Sequence, residues 1–474
     1  MAEICVIGAG PAGSTYATRM AQLGHDVHVV EAARFPRSHL GESLSPGVLP
    51  LLETTGARQS IESTGFERVR NVHVTWEDGP QVREDPREQG LLVDRGKFDQ
   101  LLLQRAGELG VRVHQPARVL GFQREGERSR VEIEVEGAVE QLYVDFVADA
   151  SGREAVSRPA RQQVGCSTVA LYAYWRGPNL PPEPRIEAGT DAWSWGVPLP
   201  DGSYNTLIFV DVNHFRSAPP ATLTERFLDL LAKSGLMRGL SDAHLDGSVR
   251  VTDATPWLDP ASVTLSNIRI GEAALAIDPI SSSGVQNAIQ SALAAAIVSN
   301  TLLRKPALAD AAMRFYQSSL EGASSRHCRW AAERYSSVAS QRGGKFWEAR
   351  AAGVRQSKPE PLPRISVDRH MLEARRVALC PQLEFVELPC LDGDFVALKP
   401  ALRHPNLEIP VAWIGPHEVA PLLREIAAPS TALQLAISWS RQIPLSSGIS
   451  IASWLLSRGI LVDESTAGPQ PRLI

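Results

Sequence analysis

The chain opens with an alternation of apolar runs and helical spacing that predicts a compact strand–helix–strand unit. Residues 4–7 are a short apolar run that passes directly into a glycine-rich turn. Apolar positions then recur at helical intervals over 12–23, and 27–30 is a second apolar run, completing one βαβ unit. A second helix is expected over 46–55, and strand-like alternation appears at 112–114, 130–135 and 142–148. Between 169 and 251 short β-like runs dominate, among them 171–176 and 204–212, with one helical stretch at 223–235. This segment reads as an inserted sheet domain. Residues 263–270 read as a strand leading into another glycine turn and a long helix around 288–303, a return to the first domain. Beyond 322 the chain is helical and Arg-rich to 353, and Lys358-Pro-Glu-Pro-Leu-Pro363 has the composition of a stiff linker. A small final unit is expected, ending within 449–462 in an amphipathic helix, stopped by Gly459, and a short strand, somewhat like a winged-helix tail.

Composition narrows the classes. At 474 residues, 43% hydrophobic and 21% charged, the chain is an ordinary globular protein with room for two or three domains. Its net charge of -5 is dispersed, with no basic block to neutralise a series of phosphates, so nucleic acid is not an expected partner. The five cysteines form no CxxC pair and point to a reducing compartment. The first apolar run lacks a basic lead, and Gln290, Ser291, Ser299 and Asn300 interrupt the long helix, so neither a signal peptide nor a membrane span is expected. A cytoplasmic location follows as the expectation. No His/Cys spacing suits a metal.

Gly8-Ala-Gly-Pro-Ala-Gly13 fits G-x-G-x-x-G with a strand before it, a helix after it and Glu31 at the end of the next strand. Gly8 permits the tight turn, Gly10 admits a pyrophosphate to the backbone, and Gly13 lets helix and strand pack closely. Free N–H groups and the positive end of the helix dipole meet the phosphate charge, and Glu31 suits an adenosine ribose. An α/β fold with a Rossmann-type domain is therefore expected.

Further motifs resemble the flavin-dependent monooxygenase superfamily, and more narrowly its tryptophan-halogenase-like branch. They are Gly41-Glu-Ser43, Val93-Asp-Arg95 with Phe98-Asp99, Asp149-Ala-Ser-Gly-Arg153, Gly271-Glu-Ala-Ala274, and Asp278-Pro-Ile-Ser-Ser-Ser-Gly284. The resemblance spans residues 1–340 in order. It implies an FAD-binding domain in two parts, 1–168 and 251–357 with a helical extension, and a β-sheet substrate domain at 169–250; the linker composition sets off a small α+β unit at 364–474. It also implies FAD contacts from Gly8, Gly10, Ala12, Gly13, Glu31, Ser43, Arg95, Glu272, Asp278, Pro279, Gly284 and Val285. Glu272 stands where the family has aspartate. The helix after Gly284 would present free N–H donors to the negative edge of reduced flavin.

Trp193-Ser-Trp195-Gly-Val-Pro198 resembles the halogenase signature WxWxIP and makes Trp193 and Trp195 candidates for the substrate pocket, though plain sheet packing fits two aromatics at this spacing equally well. The halogenases resembling this chain carry a lysine beyond the GES motif that passes hypohalous acid to the substrate. Here no lysine precedes Lys97, and residues 65–76 offer only Arg68 and Arg70. Arginine scarcely deprotonates and replaces lysine poorly. The reading is thus an FAD-dependent monooxygenase acting through a flavin C4a-hydroperoxide on an electron-rich aromatic, most simply an indole. The missing lysine and the extra C-terminal unit are similar to the monooxygenases that mature quinone cofactors, which hydroxylate a peptidyl tryptophan for the cysteine tryptophylquinone of quinohaemoprotein amine dehydrogenase. Glu42 and Ser283 are the catalytic candidates, with His39 also near by position. O2 is the co-substrate and NAD(P)H or a flavin reductase the electron donor. A halogenase, a geranylgeranyl-reductase-like flavoenzyme and a flavin-loaded binding protein remain alternatives.

Overall fold

The structure is a computed structural model and describes residues 1–37, 39–77, 79–84, 90–217, 222–236, 242–357 and 368–466. It divides into two compact units, Met1–Ser357 and Lys358–Ile474. The proline-rich stretch 358–363 lies outside the described residues.

In the first unit the expected βαβ element forms. The strands Glu3–Ile7 and Asp26–Val30 pair in parallel and flank the helix Pro11–Gln22. They sit in a five-stranded parallel sheet whose other members are Arg112–His114, Phe146–Asp149 and Asn267–Arg269. The central strand has buried positions on both faces, as a parallel sheet covered on both sides requires. Two faces are indeed occupied. Helix Pro11–Gln22 packs with the long helix Gly284–Arg304, and an antiparallel sheet built from Ala117–Glu125, Arg128–Val135 and Ala138–Val144 contributes Val119, Val131 and Ile133 to a core shared with Cys5, Ile7 and Val147.

The apolar run expected as one strand at 142–148 is two strands in two sheets, Ala138–Val144 and Phe146–Asp149. Asp145 divides them, its carboxylate accepting a hydrogen bond from the Glu3 N–H at 2.7 Å.

A seven-stranded sheet lies next in the chain. Its order is His244–Asp253, Thr168–Arg176, Tyr204–Asp211, Ala192–Pro198, Arg185–Ala188, Asn71–Thr75 and Pro80–Glu84. Two of its strands thus come from residues 71–84, far from the segment 169–250. The strand Asn71–Thr75 runs parallel to Arg185–Ala188, with His73 opposite Arg185. Helices Ala309–Arg342 and Lys345–Ser357 follow, and Tyr335, Val338, Phe346 and Trp347 complete a core with Trp76, Trp193 and Phe209 from the sheet.

The second unit has its own core around Leu379, Leu423, Trp439, Ile451 and Leu455. Its last helix is Leu445–Ser457, followed by the strand Leu461–Asp463. Among the described residues, no helix is long and apolar enough to cross a membrane.

A methyl group placed at Gly13 would stand 1.9 Å from the Gly8 carbonyl oxygen, a backbone atom that cannot move aside. Gly13→Ala is expected to destabilise the protein by about 1–3 kcal/mol through overpacking, whereas Gly121→Ala, where a methyl group meets nothing within 4 Å, stays within about 0.5 kcal/mol of the wild type. Chemical denaturation of both variants checks the contrast.

Candidate active site

The glycine turn is set by its backbone. Gly8 has φ +93° and lies against the Ala150 carbonyl, a conformation and proximity that a side chain would block. Gly10 caps the helix Pro11–Gln22 with no side-chain partner for the free N–H groups of the first turn. A methyl group at Gly10 would meet only the Arg37 guanidinium, at 3.5 Å, so the turn is open to an approaching ligand. Glu31 is buried and holds the turn from below. Its Oε2 accepts from the Ala9 N–H at 2.7 Å and its Oε1 from the Ala33 N–H at 2.8 Å.

The second turn meets the first. Gly271 has φ +60°, and a methyl group there would stand 2.8 Å from the Ala12 side chain, so the Gly271-Glu-Ala-Ala274 turn rests on the start of the first helix. The Gly271 N–H donates to Ser291 Oγ at 3.1 Å, tying this turn to the helix Gly284–Arg304. That 21-residue helix also starts without a side-chain cap and without an acid in its first turn, and a methyl group at Gly284 would meet nothing within 4 Å. Two helices in mutual contact therefore begin with open, positively polarised N-termini. Such a cradle fits FAD, with the first helix suited to the pyrophosphate and the second to the flavin ring.

Around it the other expected cofactor residues take defined places. Asp278 is partly buried and caps the turn Pro279–Ser281, its Oδ1 accepting from the Ile280 N–H at 3.0 Å and from the Tyr335 hydroxyl at 2.9 Å. Burial pushes its carboxyl above the usual aspartate range, against those two hydrogen bonds and the nearby Arg350. Val285 packs against the apolar cluster that includes Leu44, Val48 and Phe98. Ser43 pairs with Leu92 in a short antiparallel bridge. Arg95 is buried and committed to Asp99, at 3.0 and 3.1 Å, and to the Leu40 carbonyl. Glu272 is 41% exposed and lies 3.4 Å from Arg153. Arg37, which the motifs did not single out, stands at the mouth of the cradle between Glu31, 3.9 Å away, and Asp99, 3.5 Å away.

The loop that leads into the long helix also walls a cavity of about 290 Å³. Ile280 and Ser282 line it on that side, and Val72, Val74, Trp76, Ile186 and Trp195 give apolar walls from the seven-stranded sheet. Ser282 is held at φ +48°, and among the described residues it is the one that brings a hydroxyl to the lining. Ser283 is not in the lining, and its hydroxyl donates to the Ser281 carbonyl at 2.9 Å. The two tryptophans of the 192–198 strand divide. Trp195 faces the cavity, while Trp193 is buried behind it, stacked on Phe209 at 3.8 Å and edge-on to Trp76 at 6.4 Å. Among the described residues, no lysine lines the cavity and the cations in its lining are Arg70, Arg83 and Arg334.

Glu42 lies away from that lining, 4% exposed. Its Oε1 accepts from the Tyr174 hydroxyl at 2.9 Å and Asn205 Nδ2 at 3.1 Å, and its Oε2 from the Gly41 N–H at 2.9 Å. Burial and the Glu42 carboxylate hold the Tyr174 hydroxyl protonated far above the ordinary tyrosine range. With every acceptor engaged inside the fold, Glu42 anchors the 39–45 loop to the sheet. His39 is exposed, and its Nδ1 lies 2.8 Å from its neighbour's carbonyl, on Leu40.

Comparison with known proteins agrees with this geometry. The family model described as the FAD binding domain matches residues 1–171. A tryptophan 2-halogenase of Chondromyces crocatus is 30% identical over 371 residues, covering 73% of this chain and 70% of that protein. The flavin-dependent halogenase CmlS shares the fold at a TM-score of 0.79, with 21% identity, over 100% of this chain and 98% of that one. QhpG, a peptidyl tryptophan dihydroxylase essential for tryptophylquinone cofactor biogenesis, matches at a TM-score of 0.74 with 26% identity over 96% of this chain and 99% of that one. The chain belongs to the tryptophan-halogenase-like branch of the flavin-dependent monooxygenase superfamily, as an FAD-dependent oxidoreductase that modifies an aromatic substrate.

Proposed function

We propose that this protein is an FAD-dependent monooxygenase that hydroxylates a tryptophan side chain carried by a peptide. The observation that carries the reading is the lining of the cavity beside the helix Gly284–Arg304, which among the described residues holds three arginines and no lysine. Transfer of an activated halogen through an amine needs a side chain able to give up its proton and its charge. A guanidinium stays protonated throughout the working pH range. The likeness to the peptidyl tryptophan dihydroxylase, which extends over nearly the whole of both chains, supports the same reading.

FAD, when bound, supplies the activation of dioxygen. The chain's own part is to bind and shield. Val72, Val74, Ile186 and Ile280 exclude water, Trp195 offers a flat surface against which an indole can lie, and Ser282 Oγ is placed to hold or pass a proton at the flavin end of the cavity. The bonds from Glu42 to Tyr174, Asn205 and Gly41, with Arg95 on the Leu40 carbonyl, keep the 39–45 loop in place. Halogenation is the second reading, favoured by the tryptophan 2-halogenase likeness.

Flavin-loaded protein given a reductant, O2 and tryptophan-containing peptides is expected to yield products heavier by one or two oxygen atoms, with or without halide. Chlorinated or brominated product that depends on halide would favour halogenation. Independently, Glu31→Ala is expected to weaken FAD binding about ten-fold or more, since it removes the carboxylate proposed to meet the adenosine ribose and the acceptor of the Ala9 N–H; flavin fluorescence titration reads the change.

A further inference from the structure

Three cations surround the mouth of the cavity, and they arrive from three separate elements. Arg70 immediately precedes the strand Asn71–Thr75, Arg83 lies in the strand Pro80–Glu84, and Arg334 lies in the helix Ala309–Arg342. All three are exposed, and among the described residues none has a carboxylate within ion-pair distance. Some other exposed arginines of this unit do have carboxylate partners. Arg68 pairs with Glu62 at 2.8 Å, and Arg176 pairs with Asp201 and Asp246 at 2.7 Å each. Among the described residues, no aspartate or glutamate lines the cavity, although the chain as a whole carries a net charge of -5. The guanidinium of Arg334 lies over the Trp330 ring, 5.3 Å from its centre, which holds that cation at the rim.

We infer that this rim receives the acidic residues flanking a tryptophan, so that the substrate is an acidic, tryptophan-bearing peptide. The inference deepens the hydroxylation reading and rests on it for the identity of the inserted ring. A cavity of about 290 Å³ is at the small end of ligand pockets, so it takes one aromatic side chain and leaves the rest of the peptide outside. The arginines stand where that remainder runs. Their planar donors match carboxylates in a two-pronged fit, and three of them on three elements exceed what the single carboxylate of free tryptophan can satisfy.

The test is binding of fluorescent dodecapeptides to the flavin-loaded protein, with a central tryptophan flanked by aspartate, by asparagine or by lysine, and free tryptophan as competitor. The aspartate peptide is expected to bind about ten-fold tighter than the asparagine peptide at low salt, with the lysine peptide weakest and the advantage shrinking as salt rises. The R70E/R83E/R334E variant is expected to invert the order; its thermal unfolding and flavin absorbance report that it is folded and loaded. Equal affinity for the aspartate and asparagine peptides, or a preference unchanged in the variant, overturns the inference. Oxygen incorporation is read separately. Equal hydroxylation of all three peptides sinks the acidic preference while hydroxylation stands, and acidic preference without any oxygen incorporation sinks the reaction while the docking surface stands.

Discussion

The close approach of Gly271 to Ala12 is the constraint on which the site depends. A single added methyl group would separate the two turns, since only 2.8 Å is available there. Their contact brings the uncapped start of Pro11–Gln22 next to the uncapped start of Gly284–Arg304. A helix N-terminus left without a capping side chain inside a fold is costly unless something else meets its N–H groups. Here two such ends share one cradle, so one dinucleotide with negative charge at its pyrophosphate and at its flavin edge would answer both.

The cavity inherits its position from this arrangement. Asp278, fixed by the Ile280 N–H and the Tyr335 hydroxyl, shapes the turn that carries Ile280 and Ser282 into the wall and then delivers the chain to Gly284. On the other side the aromatic cluster of Trp76, Trp193, Phe209 and Trp347 supports the sheet face that presents Trp195. The fold of the halogenase relatives is thus retained, and among the described residues the charged groups lining the cavity are arginines, whose charge is fixed.

Local geometry was the legible part of the sequence. The turn at Gly8 to Gly13, the βαβ unit and the long helix after Gly284 follow from spacing within a few residues, and the structure has them. What depends on distant pairing was not legible. Strands 71–75 and 80–84 join a sheet formed mainly by residues 168–253, and no local pattern announces that partner. For the same reason Arg70, Arg83 and Arg334 look like scattered surface charges until the fold gathers them. Glu42 illustrates the opposite difficulty, because a motif can point to a residue without revealing whether its carboxylate faces a ligand or, as here, Tyr174, Asn205 and Gly41. The serine run was ambiguous by one position. Ser282, in its left-handed conformation, faces the cavity, and Ser283 turns its hydroxyl back to the Ser281 carbonyl.

Amide hydrogen exchange with and without FAD tests most directly whether both turns close on one nucleotide. The account predicts slower exchange in FAD at residues 8–14 and at 281–287 together, saturating at the same flavin concentration. Protection of one segment alone, or of neither, would contradict it.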